Sequence, residues 1–225
     1  MKIRTLENLQ DTIDAEMAWR KRELTAIKAN IQSSRNFAKN TALRAGITLL
    51  YAHWEGSVKN IAYYYLCYVS HLRLPYNRLK HNFLAISIKS DLSRFTSSSK
   101  LTVQTKIVSD IFSRYNQSSQ IPHEGIIRTN SNLNASLFTE ILCTLGLDID
   151  AYSADFTLID EVLLNMRNKI AHGEQLEELS LDEERYNQIH AIMFRLIDQF
   201  AVQVLNAASS KEYLLGEFTM ESYGK

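Results

Sequence analysis

A chain of 225 residues, 45% hydrophobic and 22% charged, can bury one substantial core and has the balance of an ordinary globular protein. Only 7 Gly and 2 Pro are too few turn residues for a fold made of tight β-turns, which leaves long helices. Lys plus Arg and Asp plus Glu are both 25, so net charge selects no class of partner. The distribution is uneven: residues 71–128 carry nine Lys/Arg against three Asp/Glu, and residues 129–225 carry six against sixteen. A basic middle can meet a polyanion and an acidic end a basic partner, or the asymmetry is simply a solvated surface.

In chain order, "MKIRTLENLQ" lacks the apolar region of a secretory leader, and no apolar run approaches the ~18 residues that span a membrane. A cytoplasmic protein is expected. Residues 5–32 read as a helix, with Leu6, Leu9, Ile13, Met17, Leu24, Ile27 and Ile31 on one face. "NIQSSRNFAKN" is a polar break. The clearest element follows: Leu43, Ile47, Leu50, Trp54, Val58, Ile61, Tyr65, Tyr68 and Leu72 recur at steps of three and four, a stripe ~45 Å long that stops before Pro75.

Residues 76–128 suggest two shorter helices, over 78–95 and 100–115, separated by the loops "TSSSK" and "NQSSQIPHEG". In 128–148, Asn134 is placed to cap a helix whose face is Leu137, Phe138, Ile141, Leu142 and Leu145, with Gly146 at its C-cap. Thr157-Leu-Ile-Asp160 has the form of a capping box for the next helix, whose core face is Ile159, Val162, Leu163, Met166 and Ile170. Ser180-Leu-Asp-Glu183 has the same form before a final long helix through Ile189, Met193, Leu196, Ile197 and Phe200. No internal repeat or strand pattern is visible, so the expected fold class is all-α. Cys67 and Cys143 lie in apolar stretches without metal-ligand spacing and read as buried reduced thiols.

The stretch "LLNMRNKIAHG" combines Arg167, Asn168 and His172 at the end of an apolar helix. Cleavage of a phosphodiester by its own 2′-hydroxyl needs a base, an acid for the leaving 5′-oxygen, and positive charge on the phosphate. Histidine titrates near neutrality and suits either proton transfer, and arginine offers a planar fork to phosphate oxygens. Spacing alone also admits a plainer reading, with Arg167 in a surface ion pair and His172 as a cation favoured by the helix dipole. On an ideal helix the two side chains diverge by ~140°. Either the helix ends near Ala171 and frees His172 to turn, or two copies face each other across a two-fold axis.

Other residues compete for a role. Glu55 can orient Arg167 or the His172 imidazole, or pair with Lys59 one turn on. His53 is a possible second proton donor or a satisfied buried histidine. Tyr63, Tyr64, Tyr65 and Tyr68 can stack bases, but Tyr65 and Tyr68 lie on the apolar stripe and suit the core better. Asp148, Asp150 and Asp155 precede a helix start, where turn and dipole roles suffice. No cluster has the spacing of a metal site, and no phosphate loop is present, so no metal or cofactor is expected.

"RNKIAHG" resembles the Arg-Asn-x₃-His form of the motif of the HEPN superfamily. "LLYAHWEGSVKNIAYYYLCYVS" and "RTNSNLNASLFTEILCTLGLD" are similar to segments of one prokaryotic branch of HEPN-like nucleases, and the similarity runs from about residue 40 to residue 200. The resemblance implies a single HEPN-like helical bundle over 1–225, with two long helices, the motif helix and extra short helices. An N-terminal helix would occupy 1–40, a helical and loop insertion 76–128, and a tail 205–225. It further implies a metal-independent endoribonuclease, usually homodimeric, acting on RNA as a toxin or antiphage effector with a cognate antitoxin or regulator. Carried onto this chain, Arg167 and His172 are the catalytic pair, with Asn168, Glu55 and His53 supporting. HEPN toxins silenced by nucleotidylation tend to have Tyr two residues after the histidine. Glu174 stands there, so that mode of control is not implied.

Overall fold

The computed structural model describes residues 3–174 and 181–216. Helices make up its regular structure, in the order α1 (Leu6–Ser33), α2 (Asn36–Leu72), α3 (His81–Ser97), α4 (Leu101–Tyr115), α5 (Ala135–Leu145), α6 (Asn165–Ala171) and α7 (Glu183–Ser209). No strand occurs among the described residues; Pro75–Ser118 and Leu79–Leu214 are isolated bridges.

α1, α2 and α7 are 28, 37 and 27 residues long and pack on one another as the frame. α1 opens at Thr5, whose hydroxyl accepts the Asn8 N–H at 3.1 Å, and a two-residue joint at Ser34 and Arg35 turns the chain back into α2. The polar break is therefore shorter than its composition suggests, because Asn36 takes the left-handed region (φ 51°) and starts the helix at once. The α2 stripe is buried along its length, with Leu43, Ile47, Leu50, Trp54, Val58, Ile61, Tyr65 and Tyr68 inside. At its centre Trp54 meets Phe138 of α5 edge-on at 4.9 Å, and Phe138 meets Tyr152 at 4.9 Å and Phe200 of α7 at 5.7 Å. These edge-on aromatic contacts lock α5 to the frame.

α5 follows its local signals. Asn134 accepts the Leu137 N–H at 2.8 Å, and Gly146 closes the helix at φ 70° with Leu147 buried behind it. The segment before α6 departs from expectation. Thr157 caps nothing: a 3₁₀ stretch over Asp150–Asp155 runs into the helix, so Thr157 is already helical (φ −58°, ψ −41°). Asp160 instead accepts the Ala135 N–H at 2.6 Å and ties this helix to the start of α5. Leu158–Leu164 is π-helical. Its i→i+5 bonding turns fewer degrees per residue than an α-helix, so Leu164 joins Ile159 and Leu163 in the core while Val162, Met166 and Ile170 are only partly buried.

Other expectations need correcting. Cys143 is exposed on the outer side of α5, whereas Cys67 is buried. α7 starts from Asp182, whose carboxylate accepts the Arg185 N–H at 2.7 Å; Ser180, expected to cap it, lies outside the described residues. The stretch expected as a tail from 205 is helical to Ser209. It then returns to the frame, where Tyr213 is buried and its carbonyl accepts the Lys80 N–H at 2.9 Å. Residues 217–225 lie outside the described residues.

Candidate active site at the end of α6

α6 ends where Gly173 permits. His172 occupies the C-cap (φ −85°, ψ 1°) and Gly173 follows at φ 85°. The Gly173 N–H donates to the Ile170 carbonyl and the Glu174 N–H to the Lys169 carbonyl, both at 3.1 Å, the paired bonds of a Schellman turn. Arg44 of α2 adds a cation to this negative helix end, donating to the carbonyls of Ile170 (3.3 Å) and Glu174. His172 is left exposed, with no hydrogen bond to its ring among the described residues.

Arg167 is half-buried and held on three sides. Its guanidinium lies 4.2 Å from the centre of the Tyr51 ring, a cation–π contact. Nη1 donates to the Asn168 side-chain oxygen at 2.8 Å and Nη2 to the Ser131 carbonyl. Ser131 belongs to a turn in which Asn130 and Ser131 both sit at φ 53°, a costly conformation for non-glycine residues. The turn is fixed on its far side by Leu133, fully buried, whose N–H donates to the Tyr51 hydroxyl at 2.5 Å. Tyr51 thus joins the loop before α5 to the motif helix: its ring supports Arg167 and its hydroxyl holds the turn that offers a carbonyl to the same arginine. Burial raises the Tyr51 pKa and the Glu55 charge raises it further, against the lowering effect of the Leu133 N–H and Arg167. The phenol stays protonated at neutral pH.

The expected residues are therefore not all in one place. Arg167 and Asn168 are bonded to each other. Glu55, partly buried one turn beyond Tyr51, acts on it through its charge but makes no ion pair with Arg167, His172 or Lys59. Within one chain no hydrogen bond joins Arg167 and His172. His53 points the other way. It is buried against α1, where its Nδ1 accepts from Arg20 Nη1 at 3.2 Å and its Nε2 meets the Glu23 carboxylate at 3.0 Å. That arrangement sets the neutral Nε2–H tautomer and keeps His53 from the motif, so the structure does not support it as a second proton donor there.

Tyr51 and Arg44 were missed by sequence reasoning. A signal existed: Arg44, Tyr51 and Glu55 recur at helical spacing beside the apolar stripe, a polar edge that tracks the motif helix. Of the other candidates, Asp148 closes a local turn onto the Asp150 N–H at 3.3 Å and Asp155 pairs with Arg195 at 2.7 Å. No group of three or more His, Cys, Asp or Glu among the described residues is placed to hold a metal ion. No described helix is long and apolar enough to cross a membrane.

An all-α frame with a long second helix, and an Arg-Asn-x₃-His motif closing a short helix against it, defines a HEPN-type domain. The RiboL-PSP-HEPN family model matches residues 15–206, and the chain belongs to this family. At that level it is a nuclease-like or RNA-related module. Neither curated proteins nor solved structures gave a match to the chain.

Proposed function

We propose that this protein is an endoribonuclease that cuts RNA without a metal ion, by attack of the ribose 2′-hydroxyl on the adjacent phosphorus. The observation that carries the reading is the state of Arg167. Its guanidinium lies over the Tyr51 ring and is bonded to Asn168 and Ser131, yet these contacts use two of its N–H groups and leave others for a phosphate. His172, exposed at the adjoining helix end, is free to transfer a proton. The 2′-oxygen forms a bond to phosphorus, the bond to the 5′-oxygen breaks, and the products are a 2′,3′-cyclic phosphate and a 5′-hydroxyl. One proton leaves the 2′-hydroxyl and another reaches the 5′-oxygen.

Two proton transfers and one motif histidine in each copy favour a site shared by two copies. An open groove of about 960 Å³ adjoins the motif, lined by Phe37, Thr41, Arg44, Leu49, Ile170 and Gly173. Phe37 is 83% exposed and Leu49 39%. A second copy seated there would cover this apolar surface and bring its own His172 toward the cleft. A role as toxin or defence effector, with a cognate antitoxin, rests on the family resemblance.

The separation of Arg167 from His172 within one chain favours one alternative, a non-catalytic module in which Arg167 holds a phosphate group of a nucleotide or nucleic acid. Incubating purified protein with RNA in EDTA separates the two. The nuclease reading expects cleavage with cyclic-phosphate ends, none with His172→Ala, and survival of DNA, which lacks the 2′-hydroxyl. RNA binding without cleavage under all conditions would favour the alternative. Activity lost in EDTA and restored by Mg²⁺ would overturn the metal-free mechanism.

A further inference from the structure

Roughly 30 Å along α2 from Tyr51, at twenty-one residues and about 1.5 Å each, the helix ends beside a second concavity. α2 gives way at Arg73, a non-glycine residue at φ 49°. The loop over 118–124 returns to this helix end and is fastened to it. The Ser119 N–H donates to the Leu74 carbonyl at 3.0 Å, the Gln120 N–H to the Tyr76 hydroxyl at 3.0 Å, and the Ser70 hydroxyl to the Ile121 carbonyl at 2.8 Å. Between helix end and loop lies a cavity of about 480 Å³, lined by Ser70, Arg73, Ser119, Ile121, His123 and Glu124 among others.

Three features of this cavity have no use in the fold. Ser119 is 0% exposed, and its hydroxyl has no hydrogen-bond partner. The Nδ1 of His123 is buried and also without a partner. Arg73 is exposed, and no carboxylate among the described residues lies within ion-pair distance of its guanidinium. Burying a polar atom unpaired costs stability, so such atoms usually meet a partner. Here the two residues that carry them line the same cavity as an uncommitted cation. The walls hold His123 in place: Tyr63 lies 6.0 Å from its ring and His71 6.3 Å, and His71 is itself anchored through Nδ1 to the Cys67 carbonyl at 2.8 Å.

We propose that this cavity binds a small phosphate-class oxyanion, either inorganic phosphate or the phosphate of a phosphomonoester. Arg73 supplies the charge and a planar fork of donors, the Ser119 hydroxyl supplies a buried donor, and His123 donates from Nδ1. The donor set opposes a metal ion, since the carboxylate, imidazole and thiol groups nearby do not converge. Among the described residues, Glu124 is the one carboxylate that lines the cavity. It is exposed and its charge is screened by solvent, but it opposes an anion, so its removal should tighten binding. The site stands apart from the motif and does not depend on the nuclease reading.

The test is calorimetric titration of the full chain with inorganic phosphate and, separately, adenosine 5′-monophosphate at constant ionic strength. Thermal melts with and without phosphate accompany it. Wild type should bind at least one of the two saturably, and which one identifies the source of the phosphate. Ser119→Ala and Arg73→Gln should each weaken binding tenfold or more, and Glu124→Gln should strengthen it. Without phosphate, Ser119→Ala should melt no lower than wild type, because it removes an unpaired buried hydroxyl. With phosphate it should gain less than wild type; the general salting effect is common to both and cancels in the comparison. Should Ser119→Ala fail to fold, Arg73→Gln, an exposed position, still decides the matter. No saturable binding to wild type, or equal binding by wild type and Arg73→Gln, would overturn the proposal.

Discussion

An arginine–histidine arrangement lies against each of two faces of α2. On the face toward α1, Arg20 and His53 are 5% and 3% exposed, and each guanidinium nitrogen of Arg20 has a hydrogen-bond partner. Arg20 donates to Glu16 at 2.6 and 2.9 Å and to His53, and it stacks 4.5 Å from the Trp19 ring centre. Gly56 makes this possible, since a Cβ there would come 2.8 Å from the Arg20 guanidinium. Asn60 completes the Glu16 shell at 2.7 Å. On the face toward α6, Arg167 is equally well positioned but only half-buried, and His172 is exposed and unpaired among the described residues. The same residue types give opposite outcomes. A pair whose hydrogen bonds are all internal has nothing left for a ligand, while an arginine held in place with donors to spare, beside a free histidine, can act on one.

The largest expected difference is in activity. His172→Ala should lower RNA cleavage by about 10²–10⁴-fold with little change in melting temperature, because no packing is lost at an exposed position. Arg167→Lys should keep more RNA affinity than Arg167→Ala but little of the rate, since a lysine retains the charge without the fork. Single-turnover cleavage and filter binding on the three variants measure this. Wild-type cleavage by His172→Ala would break the contrast between the two faces.

On the α1 face the effect should fall on stability instead. Arg20→Met strands the Glu16 carboxylate in the interior and should cost about 3–5 kcal/mol, or on the order of 10 °C in melting temperature. At temperatures where the variant is folded its cleavage rate should match wild type. A loss of rate without loss of stability would mean that this cluster, too, serves the chemistry.

Tyr51 connects stability and activity, and two substitutions separate its parts. Tyr51→Phe keeps the ring under Arg167 but leaves the buried Leu133 N–H without its acceptor, a cost of about 1–3 kcal/mol. Tyr51→Leu also removes the cation–π contact, worth about 0.5–2 kcal/mol, and should depress cleavage further than Tyr51→Phe. Equal rates for the two would show that the ring does not position Arg167.

The smallest effect is on pH dependence. Burial, then the Arg20 charge, lowers the His53 pKa below the ordinary 6.5, with Glu23 opposing. Burial, then Lys28, lowers that of His190. A histidine with a depressed folded pKa binds its proton later than the unfolded chain does. Stability should therefore decline as pH falls from about 6.5 toward the folded values. Burial raises the Glu16 pKa, but hydrogen bonds from Asn60 and Arg20 and the Arg20 charge outweigh it and hold the carboxyl below the ordinary 4.5. Its contribution is present above that pH and is lost as pH falls through the folded value. Denaturant melts across this range should show the upper part of the slope reduced in His53→Gln.

Much of this architecture is readable from residues close together in the chain. The α2 stripe, the Asn134 cap, the Gly146 cap and the turn at Gly173 all depend on neighbours three to five residues apart, so side-chain type and backbone freedom decide them. The motif residues Arg167, Asn168 and His172 were visible for the same reason, as was the all-α class. Tertiary structure decided what those residues do. The Tyr51 hydroxyl meets an N–H 82 positions away, and Arg44 caps a helix end 126 to 130 positions away. Asp160 left its apparent capping box to serve α5, 25 positions back, because the chain was already helical before Thr157. The π-helical turn re-aimed the face of the motif helix against the core, which an ideal 100° wheel does not anticipate. His53 went to Arg20 because the orientation of α1 put a buried guanidinium beside it. Local propensity sets where helices begin and end, but which polar groups are satisfied and which stay free depends on partners that only packing brings together.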